Sequence, residues 1–151
     1  MRRRQLLSSA AALSSLAALQ AFAAPQPSEL VVFKSPYCGC CGSWIAHMKS
    51  AGFAVRVVEV NNAGVERGRL GMPDRYASCH TATIEGYVLE GHVPAAEVKR
   101  LLAAKPRAIG LAVPGMPQSA PGMDVPRRKD PYQVVLVDTT GQSTVFASYP
   151  K

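Results

Sequence analysis

The feature that most constrains this chain is a group of cysteines placed between an apolar segment and a predicted helix. Three of the four cysteines, Cys38, Cys40 and Cys41, lie almost side by side. Residues 30–33 before them form a short apolar run rich in β-branched side chains, which predicts a buried strand. Residues 43–51 after them predict a short helix. The thiols therefore lie at a helix N-terminus, where free N–H groups and the helix dipole favour thiolates.

The start of the chain has the pattern of an export signal. Met1 to Arg4 is basic, Leu6 to Ala23 is an apolar Ala-, Leu- and Ser-rich segment, and residues 21–23 form a small-x-small cleavage pattern. We therefore predict a signal peptide over residues 1–23, and both the general secretory and the twin-arginine routes fit it. Residues 24–151 are then expected to form one domain in a bacterial periplasm, with no membrane span after cleavage.

Composition disfavours several functions. The formal net charge is +7, and three of the arginines lie in the predicted signal peptide. The other bases are scattered except for Arg127-Arg128-Lys129, and no aromatic ladder accompanies them, so nucleic acid is not an expected partner. No Ser/His/Asp grouping, phosphate-binding glycine loop or pair of carboxylates stands out, which disfavours hydrolases and nucleotide-binding proteins.

The segments after the cysteines alternate between strand and helix patterns. Strands are predicted over 53–60, 78–84 and 87–93, and helices over 65–70 and from Pro94 onward. This order favours an α/β fold, a small mixed sheet with helices on both faces. Residues 110–132 are rich in Pro, Gly and Met and predict a long irregular loop. Residues 133–137 and 143–149 predict a C-terminal β-hairpin.

Four cysteines in an exported chain have several interpretations. Two structural disulfides are one, Cys38–Cys41 with Cys40–Cys79. The C-x-x-C of Cys38 and Cys41 also suits the redox pair of a metal-free thiol–disulfide oxidoreductase. A third interpretation is a soft-metal site in which all four cysteines supply thiolates, the ligands that select Cu(I). A structural zinc site fits less well, because zinc ribbons usually supply two spaced pairs of ligands.

Other side chains are candidate ligands beside these thiols. His80 directly follows Cys79 and suits either a metal ligand or a base that tunes the thiolate. Met72, Met116 and Met123 occur in Gly-Met contexts within segments rich in helix breakers, where a thioether can act as a soft ligand. His92 precedes a predicted helix start, where local hydrogen bonding explains it equally well.

Four motifs together resemble one family. They are the C-G-C-C of residues 38–41, Ser78-Cys79-His80-Thr81, Glu90-Gly91-His92-Val93-Pro94, and the Gly-Leu-Ala-Val-Pro-Gly-Met-Pro of residues 110–117. The chain resembles, from about Leu30 to Tyr149, the CopG-type family of exported bacterial metal-binding proteins. That family was formerly a domain of unknown function and is often encoded among copper-resistance genes.

The resemblance carries implications that spacing alone does not. It implies a thioredoxin- or glutaredoxin-like fold and places Cys38, Cys40, Cys41 and Cys79 at copper, held as Cu(I) in a multinuclear cluster. It also implies cycling between reduced copper-thiolate and oxidised forms, which leaves a copper/thiol oxidoreductase activity open. Copper ions and other periplasmic copper-handling or thiol-redox proteins are then the expected partners.

Overall fold

The computed structural model describes residues 28–123, 125 and 130–150. The predicted signal peptide and Arg127-Arg128-Lys129 lie outside the described residues. Within the described ranges, no helix combines the length and the apolar character needed to cross a membrane.

The described part of the chain contains seven strands, three α-helices and one 3-10 turn. The strands are β1 (Glu29–Lys34), β2 (Ala54–Glu59), β3 (His80–Ile84), β4 (Tyr87–Glu90), β5 (Ala108–Ala112), β6 (Tyr132–Asp138) and β7 (Ser143–Tyr149). The helices are α1 (Gly39–Ser50), α2 (Ala63–Arg69) and α3 (Ala95–Ala104), and the 3-10 turn spans Asp74–Tyr76.

All seven strands form one mixed sheet in the order β2-β1-β3-β4-β5-β6-β7. The pairs β1–β2 and β4–β5 are parallel, and the other neighbouring pairs are antiparallel. The predicted α/β fold and the C-terminal hairpin, formed by β6 and β7, are therefore confirmed. The finer assignment to a thioredoxin-like arrangement stays a prediction.

The main core lies on the face of the sheet that α1 and α3 cover. Leu30 and Val32 alternate inward along β1 and pack with Trp44 and Met48 of α1 and Leu101 of α3. Each of these side chains is fully buried. Burying one large apolar side chain stabilises a fold by about 1.5–3 kcal/mol, so this cluster positions the start of α1 firmly against the sheet.

A smaller apolar cluster lies on the opposite face of the sheet. It contains Met72, Tyr76, Val88, Ala112 and Val137. Neighbouring strand residues therefore point to opposite clusters, as the two-residue period of a strand requires. The side chain of Glu90 lies on the same face of β4 as that of Val88, and it is also fully buried.

The predicted loop over residues 110–132 begins too early, because residues 110–112 belong to β5. This strand pairs with β4 in a parallel register that sets Gly110 opposite Val88. A Cβ atom at residue 110 would lie 1.8 Å from the Val88 carbonyl oxygen. The glycine that suggests a loop in the sequence is thus needed for close approach of two strands.

The C-terminal hairpin is tied to α3 by a buried carboxylate. Glu97 accepts a hydrogen bond from the Tyr149 hydroxyl at 2.7 Å and pairs with Arg100 at the same distance. The Arg100 guanidinium also lies 3.7 Å from the centre of the Phe146 ring. Tyr149 stacks on Tyr132 with ring centres 4.9 Å apart. The last strand is therefore held to the rest of the domain by side chains as well as by sheet hydrogen bonds.

We predict that Gly110→Ala destabilises the domain by about 2–3 kcal/mol, because the new methyl group overlaps the backbone of β4. Gly68→Ala is the matched control, since no atom lies within 4 Å of the added Cβ on α2. The control should stabilise the domain by about 0.5–1 kcal/mol, the usual gain from replacing a helical glycine. Urea unfolding of both variants measures the difference, and equal stabilities would contradict the assigned strand contact.

Candidate metal centre

The N-terminus of α1 carries three cysteines. Cys38 is the N-cap residue, and Cys40 and Cys41 lie in the first turn. The first turn contains no acidic residue, and the Cys38 side chain does not cap the helix through a hydrogen bond. The free N–H groups and positive end of the dipole therefore face the sulfur atoms, which favours a negative charge on them.

The sheet brings the fourth cysteine to the same place. β1 and β3 run antiparallel with Lys34 opposite His80, so the residue before β3 lies beside the segment that leads from β1 into α1. That residue is Cys79, and its carbonyl oxygen lies 3.8 Å from the sulfur of Cys41. The structure therefore brings all four predicted cysteines together, and their sulfur atoms lie within 4.8 Å of one another.

Two of the four sulfurs form a disulfide. Cys38 and Cys41 are bonded, with Cα atoms 5.4 Å apart, while Cys40 and Cys79 are free thiols. Of the two disulfides in the structural interpretation, Cys38–Cys41 is therefore present and Cys40–Cys79 is absent. The Cys38 and Cys40 sulfurs lie 3.6 Å apart, which brings the disulfide and a free thiol into contact.

The Cys79 thiol has a raised pKa, whereas a thiol at a helix N-terminus is expected to have a lowered one. Burial, together with the neighbouring Cys40, raises the pKa of the Cys79 thiol to about 12. Cys79 is reached from a strand rather than from the first turn of α1, so the helix dipole does not offset its burial. Cys79 is therefore a neutral thiol at neutral pH, and a metal ion must displace its proton to bind there.

Two buried histidines face Cys79. The Cys79 sulfur lies 3.0 Å from Nε2 of His92 and 3.3 Å from Nδ1 of His80. Nδ1 of His92 lies 2.7 Å from the carbonyl oxygen of Pro121. Because a carbonyl only accepts hydrogen bonds, Nδ1 of His92 carries the proton and Nε2 presents a lone pair to Cys79.

His80 occupies an apolar pocket. It is fully buried, and its ring centre lies 4.3 Å from the ring of Trp44 and 5.2 Å from that of His92. Burial, together with the electrostatic effect of His92 and Lys34, lowers the pKa of His80 to about 3. His80 is therefore neutral, the form in which imidazole binds a metal ion. Its Nε2 atom has no hydrogen-bond partner.

A buried carboxylate holds the backbone on either side of Cys79. Glu90 accepts hydrogen bonds from the backbone N–H of Ser78 at 2.8 Å and from the Thr81 hydroxyl at 2.7 Å. The Arg67 guanidinium lies 3.5 Å from the same carboxylate. Burial raises the pKa of Glu90, while the hydrogen bonds and Arg67 oppose the shift. Glu90 therefore fixes the backbone on both sides of Cys79.

Residues 113–123, which follow β5 and are called the covering segment below, lie over the other side of the centre. The N–H of Gly115 donates to the Ala77 carbonyl at 3.0 Å, which joins this segment to the turn before Cys79. Gly122 packs directly on α1, because an added Cβ would lie 2.4 Å from the Trp44 backbone nitrogen. The carbonyl that orients His92 belongs to Pro121, the residue before this contact.

The predicted methionine ligands lie at different places. Met116 and Met123 belong to the covering segment, where Met116 is half exposed and Met123 is half buried. Met72 is fully buried in the smaller apolar cluster, whose members include none of the cysteines.

Sequence reasoning assigned His80 to the centre but did not include His92 among the ligands. The missing signal was the register of the β3–β4 hairpin. Thr81 pairs with Glu90 and Ile84 with Tyr87 around the turn at residues 85–86. Extending that register by two residues sets Cys79 opposite His92, and side chains directly opposite each other in a sheet are neighbours.

Comparisons with known proteins agree with these motifs. The model of the family described as "Protein of unknown function, DUF411" matches residues 76–123. No curated protein matches the chain. A solved structure titled "Copper resistance protein copG- Form 2" is similar, with 42% identity and a TM-score of 0.79, over 83% of this chain and 100% of that chain. The structure titled Form 1 of the same protein gives 41% identity and a TM-score of 0.78 over the same shares of the two chains.

We predict that Gly122→Ala loosens the covering segment and weakens the contact between the Pro121 carbonyl and His92. Gly115→Ala is the control, since Gly115 also has a positive φ but no atom within 4 Å of an added Cβ. Both variants strain the backbone, and only Gly122→Ala adds a steric overlap, so it should lose about 1–3 kcal/mol more. Thermal unfolding measures the stability, and the nitrogen chemical shifts of His92 should change only in Gly122→Ala. An unchanged His92 signal in Gly122→Ala would contradict the role of the covering segment in orienting His92.

Proposed function

Because the chain belongs to the family of the copper resistance protein CopG, we propose that it binds Cu(I) through its four cysteines in the bacterial periplasm and contributes to copper resistance. The observation that carries this proposal is the convergence of the four sulfur atoms within 4.8 Å at the start of α1. An export signal over residues 1–23 would deliver the chain to that compartment.

The donor set suits copper in its reduced state. Thiolates are soft ligands that select Cu(I), whereas carboxylates and carbonyls suit hard ions. Among the described residues, the sulfur group contains no carboxylate, and Glu90 is already held by Ser78 and Thr81. Cys40 and Cys41 are adjacent, and a thiolate sulfur can bridge two ions. These features support a multinuclear cluster rather than one isolated ion.

Loading the full set requires the Cys38–Cys41 disulfide to open. Reduction breaks the S–S bond and adds two electrons and two protons, which a dithiol protein of the periplasm supplies while its own thiols form a disulfide. Cu(I) then displaces the thiol protons as it binds. Oxidation of the pair back to the disulfide would remove two ligands, so the state of the cysteines would couple to copper loading.

The Cys38–Cys41 disulfide also favours a second candidate function. A C-x-x-C pair at a helix N-terminus is the arrangement of thiol–disulfide oxidoreductases, which exchange their disulfide with that of a substrate. Cys40, whose sulfur lies 3.6 Å from Cys38, would compete to resolve a mixed disulfide. Measurements of copper uptake and of catalytic turnover distinguish the two candidate functions.

We predict that the reduced protein binds more than one Cu(I) ion per chain and that the disulfide form, titrated in parallel, binds fewer. Anaerobic titration against a competing Cu(I) chelator measures the stoichiometry, and insulin reduction measures turnover. Cys79→Ser should lower Cu(I) stoichiometry while it leaves the C-x-x-C pair able to exchange disulfides. Rapid insulin turnover without copper uptake would contradict the copper proposal and support the oxidoreductase.

The covering segment gives a further prediction, in which Met116 and Met123 act as a lid or a hand-off surface for copper. Met116→Ala combined with Met123→Ala should slow Cu(I) transfer to a chelator or weaken Cu(I) affinity by about tenfold, because two soft thioethers are removed. Met72→Leu is the control, since Met72 lies in the smaller apolar cluster. If the double variant matches the wild type in affinity and transfer rate, the lid role is wrong.

A further inference from the structure

We propose that the turn before α1 and the first turn of that helix form a docking surface for the dithiol protein that reduces the Cys38–Cys41 disulfide. The surface consists of Tyr37, Gly39 and Gly42. This inference rests on the proposed function in one respect, since loading all four cysteines with Cu(I) requires the disulfide to open. The partner is a protein that carries two thiols at its own surface.

Only one sulfur of the disulfide belongs to a residue with exposed surface. Cys41 is fully buried, whereas Cys38 is half-buried. A thiolate attacks a disulfide at the sulfur that it can reach, so access selects Cys38. The sulfur of Cys41 then leaves as a thiolate in the first turn of α1, where free N–H groups and the helix dipole favour a negative charge.

The reduction proceeds in two exchange steps. A thiolate of the partner attacks the Cys38 sulfur, which forms a mixed disulfide and breaks the bond to Cys41. The second thiolate of the partner then attacks the partner sulfur in that mixed disulfide, which releases Cys38 and leaves the partner with a disulfide. Two electrons pass to this chain, and the partner's thiols lose two protons. Cys38 and Cys41 take up two protons from water or bind Cu(I) instead.

The aromatic ring beside Cys38 favours a protein partner over a small reductant. Tyr37 is 95% exposed. Its backbone is held in place, because the Cys38 N–H donates to the Ser35 carbonyl at 3.1 Å and the Tyr37 N–H donates to the Ser35 hydroxyl oxygen at 3.3 Å. A tyrosine supplies a large contact area at a low cost in conformational entropy, and tyrosines are among the residues that contribute most to binding at protein interfaces. Tyr37 is therefore placed to anchor a partner next to the accessible sulfur.

The two glycines in the first turn of α1 are explained neither by packing nor by backbone conformation. Most glycines of the chain have a positive φ value or an atom within 4 Å of an added Cβ. Gly39 and Gly42 have neither, although they lie in a helix, where glycine is the least favourable residue after proline. Both are exposed and directly adjoin the cysteines of the disulfide. The missing side chains leave room for the backbone of another protein to approach the sulfurs.

Two reductants of different size test this surface. Thioredoxin is the protein probe and dithiothreitol is the small-molecule probe, and both act on the disulfide form without copper. Alkylation of the thiols at successive times, followed by mass spectrometry, measures the rate of reduction. We expect thioredoxin to reduce the unaltered chain at least about tenfold faster than dithiothreitol does at equal concentration, because only the protein gains contacts at the docking surface. Equal rates would overturn the proposal.

Variants of the docking surface should affect only the reaction with the protein probe. Gly39→Gln and Gly42→Gln place a neutral side chain in the path of the partner, and each should slow reduction by thioredoxin at least about tenfold but leave the dithiothreitol rate within about twofold. Gly68→Gln is the matched control and should change neither rate, since Gly68 is also exposed, helical and without an atom within 4 Å of an added Cβ. Tyr37→Ala should slow only the thioredoxin reaction, and Tyr37→Phe should keep the original rate because it retains the ring.

A further measurement uses the unaltered chain and identifies the attacked sulfur. A thioredoxin variant without its second cysteine cannot complete the exchange, so it should remain bonded to this chain. Peptide mapping should find the mixed disulfide at Cys38. A mixed disulfide at Cys41 would contradict the assigned direction of approach.

Two other outcomes distinguish the docking surface from the copper centre. If the glutamine variants lose both reduction rates equally, or bind less Cu(I) after chemical reduction than the unaltered chain does, the glycines serve the sulfurs or the copper rather than a partner, and the proposal is wrong. Failure of the unaltered reduced chain to bind Cu(I) would instead overturn the proposed function. The docking surface would then still stand, since both reduction rates are measured without copper.

Discussion

The register of β3 against β4 determines the position of the donors that do not belong to α1. A two-residue turn at Glu85 and Gly86 closes this hairpin, and both residues have positive φ values that suit such a turn. A shift of one residue would move Cys79 and His92 to the wrong face of the sheet. The short turn therefore has the same importance for the centre as the cysteines themselves.

Burial on both faces of the sheet reinforces that register. Glu90 pairs with Thr81, next to the pair in which the Gly91 N–H donates to the His80 carbonyl. Its carboxylate accepts hydrogen bonds from the Ser78 N–H and the Thr81 hydroxyl. A buried carboxylate is costly unless it is hydrogen-bonded, so this network forms correctly in only one pairing of the strands. This carboxylate thus anchors the backbone that carries Cys79.

Much of this arrangement could be predicted from the sequence, because the patterns involved are local. The apolar run of β1 and the cysteines at the start of α1 are contiguous in the chain, and so are the strands of the C-terminal hairpin. β5 was missed because its glycine and its brevity resemble a loop, and only the approach of Val88 explains Gly110. To place His92 in the centre, one must know how β3 and β4 are paired. The pKa of Cys79 is raised by the burial of its thiol, and the spacing of the cysteines in the sequence carries no information about burial.

The link between Glu97 and Tyr149 has a consequence for the boundaries of the domain. β7 is the last strand in the chain and lies at the edge of the sheet, where a terminal segment is often dispensable. Here its tyrosine reaches back to α3, the helix that packs with α1 in the main core. A shortened version that stops after β6 would expose Glu97 and leave β6 as the edge strand of the sheet. The smallest autonomous form of this protein therefore retains its final hairpin.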